Sequence, residues 1–226
     1  MRRRAEIKIK KREFEKFVKA IAKVSDIAKI KADETNQHLE CVTKDPRATS
    51  LLKCVVPCEV KGSTTFVLEV ETAPSWLKTV EDDLLEMEVE NEKIRINNGI
   101  EIKLLNPPSI EEPEIPEFEF TARTDDIDLR KLRKITRAGK ILSDIIKFIA
   151  EDGILTVRME MGGSVLNFGV CAVEGEGVAS YLTDELDRLL EGLRVGKLAF
   201  GTHSPLKLES YEKGFYVMSL LANLVE

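Results

Sequence analysis

Asp26-Ile27-Ala28-Lys29-Ile30-Lys31-Ala32-Asp33-Glu34 and, 118 positions further on, Asp144-Ile145-Ile146-Lys147-Phe148-Ile149-Ala150-Glu151-Asp152 are two versions of one segment. Laid on each other without a gap, they keep acidic, apolar and basic positions in step. The match runs backward, placing Ser25 on Ser143, Val24 on Leu142, Phe17 on Ile135 and Phe14 on Leu132. A chain that repeats itself at this spacing consists of two copies of one module. With 226 residues and 43% hydrophobic content, each copy of about 110 residues has enough apolar side chains for its own core.

Each copy opens on a helical pattern. Phe14, Phe17, Val18 and Ile21 in the first, and Leu129, Leu132, Ile135 and Ala138 in the second, recur at the three-to-four spacing of an amphipathic helix. Strands follow in the first half over Ile27–Ala32, His38–Thr43, Thr65–Val70, Leu84–Val89, Lys93–Ile96 and Ile100–Leu105. The second half repeats the rhythm over Ile145–Ala150, Ile154–Met159, Val165–Val170, Val195–Phe200, Leu206–Tyr211 and Phe215–Leu221. A second helix is expected midway through each half, from Thr72 to about Val80 and from Thr183 to about Leu193, with the two threonines as N-caps. Pro74 falls early in one of these helices, and Asp184 and Glu185 in the first turn of the other. Between the halves, Asn106 to Pro116 holds four prolines in eleven residues and cannot be helix interior or central strand. The expectation is an α+β chain of two repeated helix and antiparallel-sheet domains, residues 1–105 and 118–226, joined by an extended connector over 106–117.

The formal net charge is −6, but the charge is distributed very unevenly. The first 23 residues carry ten Lys or Arg against three acids, whereas Asn106 to Phe120 has five glutamates and no base. Charged residues make up 33% of the chain, with both signs abundant, which fits a heavily solvated surface and a thermophilic source. No long apolar run and no apolar signal core follow the charged N-terminus, so an intracellular protein is expected. Cys54 and Cys58 stand in a C-x-x-x-C spacing, with Cys41 and Cys171 elsewhere and no second Cys or His pair nearby. This reads as buried thiols rather than a zinc site.

The repeat preserves charge as well as apolar pattern. Arg12, Lys16 and Lys19 superpose on Arg130, Lys134 and Arg137, and spacings of four and three put each trio on one helical face, away from the apolar stripe. Three neighbouring cations repel one another unless something neutralises them. Phosphate backbone does so with no sequence preference. One such helix reads as an ordinary solvated face, but recurrence of the trio favours a surface that meets nucleic acid.

The order of several further motifs resembles the sliding clamps of the proliferating cell nuclear antigen (PCNA) type, particularly the archaeal ones, over nearly the whole chain. His38 to Ala48, with Asp45-Pro46 after a strand, resembles one clamp segment. Thr72-Ala-Pro-Ser-Trp-Leu-Lys78 resembles the second helix of the first domain, and Ile102 to Pro116 the interdomain connector. Tyr181 to Leu190, Ser204-Pro-Leu-Lys-Leu-Glu209 and Tyr216 to Ala222 complete the likeness. The resemblance implies a non-enzymatic subunit of a three-chain ring that encircles duplex DNA and raises polymerase processivity. No cofactor and no metal are implied. Its partners are double-stranded DNA and a polymerase, clamp loader, nuclease and ligase that dock through short peptide motifs.

By the same resemblance, Arg12, Lys16, Lys19, Lys23, Lys78, Arg130, Lys134, Arg137 and Arg188 face DNA. Lys44, Ile115, Pro205, Leu220, Leu221, Ala222 and Asn223 line the partner-peptide site. Lys44 replaces an apolar residue usual in the family, and Asn223 stands where the familiar tail has proline. The chain is also shorter than usual, so homotrimer, heterotrimer subunit and mobile-element clamp all stay open.

An enzyme would need a clustered constellation, and none is legible. His38 and His203 lie near no nucleophile motif, Gly175-Glu176-Gly177 lacks the rest of a phosphate-binding fingerprint, and Asp82-Asp83 reads as an acidic turn. Trp76 reads as core packing. The rival readings are a clamp-fold interaction scaffold or non-loading decoy subunit, and an open RNA-binding protein, for which exposed stacking aromatics are not evident.

Overall fold

The computed structural model describes residues 4–90, 92–97, 99–105 and 110–224. Met1–Arg3 of the basic N-terminal stretch and residues 106–109 of the connector lie outside the described residues. The chain divides into two compact units. One comprises the chain up to Glu114 together with Glu212–Val217, and the other runs from Ile115 to Tyr211 and resumes at Met218. The described part of the expected connector is thus shared between them, Ile110–Glu114 going with the first unit and Ile115–Glu117 with the second.

In the first unit, β1 (Ala5–Lys10) leads into α1 (Lys11–Ile21), followed by β2 (Ile27–Asp33), β3 (His38–Lys44), β4 (Ser50–Pro57), β5 (Glu59–Lys61) and β6 (Thr64–Glu69). The short α2 (Ala73–Leu77) precedes β7 (Leu84–Val89), β8 (Lys93–Ile96) and β9 (Ile100–Lys103). The second unit repeats the order with β10 (Ala122–Asp128), α3 (Leu129–Lys140), β11 (Ile145–Glu151), β12 (Ile154–Met161), β13 (Ser164–Ala172), β14 (Glu174–Gly175) and β15 (Gly177–Leu182). Then come α4 (Thr183–Leu190), β16 (Val195–Gly201), β17 (Ser204–Glu212) and β18 (Phe215–Leu221), the last residue of β17 and the first three of β18 being counted with the first unit.

The strand order β5-β1-β7-β8-β9 recurs as β14-β10-β16-β17-β18, and β4-β3-β2-β6 recurs as β13-β12-β11-β15. The quoted repeat is the pair β2 and β11, whose bounds differ by the same 118 positions. Within each unit the two helices pack on each other, α1 on α2 and α3 on α4.

Each unit has more strands than the sequence pattern disclosed, β4, β5, β10, β14 and β15 being the additions. The second helices are shorter than expected. Around α2 the backbone closes three-residue turns, with Ser75 N bonding Thr72 O at 3.0 Å and Thr79 N bonding Trp76 O at 3.0 Å, and the helix ends at Leu77. At α4, Glu191 is extended and Gly192 adopts φ +77°, a left-handed conformation that glycine takes without a Cβ clash. Thr72 stands at the N-cap position of α2 as expected, whereas the N-cap of α4 is Leu182, and neither threonine makes a side-chain capping bond. Thr72 is already helical and donates to Glu69 O, while Thr183 is the first residue of α4 and donates to Ser143 O, tying the helix to the entry of β11. The cap that does form is Asp128, whose Oδ1 accepts from Arg130 N at 2.9 Å and Lys131 N at 3.1 Å.

Alternation along the strands buries one row of each sheet under the helices. The core of the first unit holds Ile7, Phe14, Phe17, Ile21, Ile30, Leu39, Leu52, Phe66 and Leu68, with Trp76 of α2 against Phe14 at 6.0 Å between ring centroids. In the second unit Phe148 meets Tyr181 at 5.4 Å and Phe200 at 5.9 Å, both edge-on, the geometry aromatic quadrupoles favour. All four cysteines are free thiols. Burial pushes the Cys41 and Cys58 thiols up to about 12 and Cys54 well above its ordinary value, so none is poised as a thiolate.

Candidate functional site

On α1 the buried residues are Phe14, Phe17, Val18, Ala20 and Ile21, which leaves the other side of the helix to charge. Arg12 and Lys19 are exposed and Lys16 half-buried. Lys16 pairs with Glu13 at 3.2 Å and Lys19 with Glu15 at 2.6 Å, each within the helix. The exposed Lys19 pair contributes about 0 to 1 kcal/mol, and the Lys16 pair, within one helix and still open to solvent, is of the same kind, so an incoming phosphate can displace them cheaply. Arg12 and Lys78, the latter at the end of α2, are exposed and form no ion pair among the described residues. Lys23 lies half-buried in the turn that follows α1.

The second unit carries the stronger field. Six bases and no acid occupy α3, from Arg130 to Lys140. The facing helix α4 answers part of this charge: Arg133 binds Asp187 at 2.9 Å and Glu191 at 3.1 Å, Arg137 binds Asp187 at 3.1 Å, and Lys140 binds Asp184 at 2.7 Å. Burial of Arg133 opposes its charge, but the Asp187 and Glu191 bonds outweigh this and raise its pKa. Lys134 is exposed with no ion pair among the described residues, and Arg130 reaches only its own cap Asp128, at 3.4 Å. The Asp184, Asp187 and Glu191 stripe was missed from sequence, although its three-and-four spacing on an expected helix is the signal that finds it. Ala138, expected on the apolar stripe, is exposed, and Thr136 and Gly139 are buried instead. Arg188, expected beside the DNA-facing bases, is half-buried, with Nε and Nη2 shielded and unpartnered among the described residues.

The residues expected at a partner site are placed as follows. Lys44 is exposed at the end of β3, beside a tight turn organised by Asp45. The Asp45 carboxylate accepts from Ser50 N at 2.8 Å and Thr49 Oγ1 at 3.0 Å. Ile115 is exposed, Pro205 is half-buried in β17, and Leu220 and Leu221 are buried at the end of β18. Ala222 is exposed. Asn223 accepts at Oδ1 from Ser180 N at 3.1 Å and donates from Nδ2 to Thr202 O at 2.6 Å. The structure therefore gathers the tail, β15 and the turn leading to Pro205 within one unit. Asp45 and Ser180 were not singled out from sequence.

No protein-family model matches the sequence, and no curated protein matches it. Solved structures do. The PCNA of A. fulgidus, in a structure described as the C-terminal region of FEN-1 bound to it, superposes with a TM-score of 0.86 at 19% identity, covering 98% of this chain and 99% of that one. PCNA from Thermococcus kodakaraensis superposes at 0.82 with 21% identity, covering 97% and 100%, and PCNA from Entamoeba histolytica at 0.83 with 15% identity, covering 99% and 100%. This chain has the PCNA clamp fold.

In the clamp fold as this chain builds it, the expected DNA-facing bases lie on α1, α3 and α4 or at the C-cap of α2, except Lys23 in the turn after α1. Among the described residues no helix is long and apolar enough to cross a membrane. No group of three or more metal-ligating side chains comes together among them either.

Proposed function

We propose that the chain is a subunit of a sliding clamp, a three-chain ring that encloses duplex DNA and tethers a polymerase and repair enzymes to it. One observation carries this reading: the same basic trio stands on equivalent helices of both units, exposed or half-exposed, within a PCNA clamp fold. Arg12, Lys16, Lys19, Lys78, Arg130, Lys134 and Arg137 are the phosphate-facing set, and Lys23 flanks it. The ion pairs of Lys16, Lys19 and Arg137 keep the faces neutral enough to fold while leaving contacts that exchange readily with phosphate. Weak, sequence-independent contacts suit a ring that slides, because enclosure replaces affinity. The net charge of −6 is no obstacle when the bases are collected on helices.

Partner enzymes dock through short peptides at the segments bearing Lys44, Ile115, Pro205 and Ala222–Asn223, as the A. fulgidus complex with the C-terminal region of FEN-1 suggests by analogy. The chain works inside the cell, on the chromosome, and catalyses no reaction itself. Changing Lys16, Lys19, Arg130 and Lys134 together to Ala tests the reading. The expected outcome is an intact fold with reduced loader-dependent polymerase processivity on primed DNA and a flatter dependence of DNA association on salt. Unchanged processivity would remove these faces from DNA contact.

A further inference from the structure

We propose that the Asn223 carboxamide is a latch that fixes the C-terminal segment against β15 and the β16–β17 turn. Through that segment it sets the tail side of the partner-docking surface, and this second half rests on the docking reading above. After Leu221 the chain leaves its strand, and Ala222–Leu224 have no regular pairing to hold them. Their place is fixed by three hydrogen bonds. Leu224 N donates to Ser180 O at 2.8 Å, Ser180 N donates to Asn223 Oδ1 at 3.1 Å, and Asn223 Nδ2 donates to Thr202 O at 2.6 Å. Two of the three belong to one side chain.

Ser180 sits on β15, which ends its sheet, so the N–H and C=O that the tail engages are the edge groups of that strand. Left alone they would face water or another strand. Here Ser180 is only 5% exposed. Thr202 belongs to the turn joining β16 and β17, strands of a different sheet from β15. The carboxamide therefore bridges two sheets, and it needs both an acceptor and a donor on a short stem to do so. Asn meets that requirement. Asp would keep the Ser180 bond but set a carboxylate oxygen against the Thr202 carbonyl, Gln is a methylene longer, and Ala or Pro supplies neither bond.

The consequence reaches the docking surface because Ala222 directly precedes the latch and Pro205 follows the Thr202 turn by three residues. With the latch closed, Ala222 and Pro205 keep one spacing, and an extended partner peptide meets a preorganised tail. With it open, the peptide must order the tail as it binds, which costs affinity.

The test uses the full-length chain with Asn223→Ala and Asn223→Asp, read by site-resolved amide exchange and by titration with a synthetic peptide of the FEN-1 C-terminal region. Opening the latch should speed exchange at Ser180 and Leu224 by on the order of tenfold or more in Asn223→Ala. Exchange elsewhere and the thermal midpoint should stay as in the parent, with a smaller local effect in Asn223→Asp. Peptide affinity should fall by about the same factor as the latch opens. Unchanged exchange at Ser180 and Leu224 overturns the latch. Faster exchange with undiminished peptide affinity overturns its role in docking. If the parent chain itself does not bind the peptide, the docking reading fails, and the exchange result alone decides the latch.

Discussion

Asp45 shows how one side chain can hold the geometry of a surface segment. Its side chain is almost wholly buried, and burial works against its charge. Bonds from Ser50 N, Thr49 and the turn backbone more than compensate and hold the carboxyl below the usual aspartate range. A carboxyl depressed in the fold contributes stability that is fully present above its unfolded pKa, near about 4. That contribution is lost as pH falls through the lower, folded value. Asp45→Asn keeps an acceptor but loses the charge. The expected cost is about 1 to 3 kcal/mol at neutral pH in urea unfolding, with the gap to the parent narrowing below about pH 4. A gap that does not change with pH would mean the turn uses the shape of Asp45 and not its ionisation. The adjoining Lys44 and the distant Asn223 were both legible from sequence as departures from the clamp pattern. What Asn223 does was not, because its partners Ser180 and Thr202 are remote in sequence and become neighbours only through the sheets.

Elements repeat here with compensating differences, and α3 with β12 gives the sharpest case. Gly139 of α3 approaches Met159 so closely that a Cβ on the glycine would lie 1.7 Å from Met159 Sδ. The equivalent positions of the first repeat hold Ile21 and Cys41, large on the helix and small on the strand where the second repeat has the reverse. Gly139→Ala gains helix propensity of about 1 kcal/mol but overpacks a buried site, which typically costs about 1 to 3 kcal/mol. Net destabilisation is therefore expected. Met159→Cys in the same chain opens the space and should recover most of the loss. A Gly139→Ala variant that is stable by itself would show that Met159 can move aside, and the compensation would not be needed. The repeat itself was readable because β2 and β11 alternate cleanly and keep one spacing. The missed strands broke that pattern for definite reasons. In β10, Asp125 and Asp126 fall in a register shift between Thr124 and Ile127, so alternation fails there. In β15, Gly177, Ala179 and Ser180 offer little hydrophobic contrast. The start of α4 was misjudged by one residue because threonine is a common cap, and at both second helices the threonine hydroxyl donates to a carbonyl outside its helix.

At the scale of the whole chain, β13 is an edge strand left open to pairing. β13 ends its sheet and carries no charged residue over nine positions, and Val165 and Leu166 are 44% and 40% exposed. An apolar, uncharged edge is a template for another strand. Its C-terminal part is already blunted by Lys131, whose ammonium bonds Gly169 O and Val170 O, so the open ledge is the Ser164–Phe168 part. The four-residue β9, at the edge of the first unit's five-stranded sheet, is short enough for this five-residue ledge and alternates Ile100 and Ile102 with Glu101 and Lys103. Pairing β13 of one chain with β9 of the next would be head-to-tail, the interface type that a ring requires, whereas β13 on β13 would stop at a dimer. Solution mass separates these outcomes. The parent chain is expected near three chains by light scattering, and Leu166→Asp, which places a charge on the ledge without disturbing the core, near one chain with its thermal midpoint preserved. A parent mass of two chains would assign β13 to self-pairing and overturn the ring. A parent that stays monomeric at all concentrations would overturn the homotrimer and leave β13 to a different subunit, whose addition should then restore a three-chain mass that Leu166→Asp abolishes.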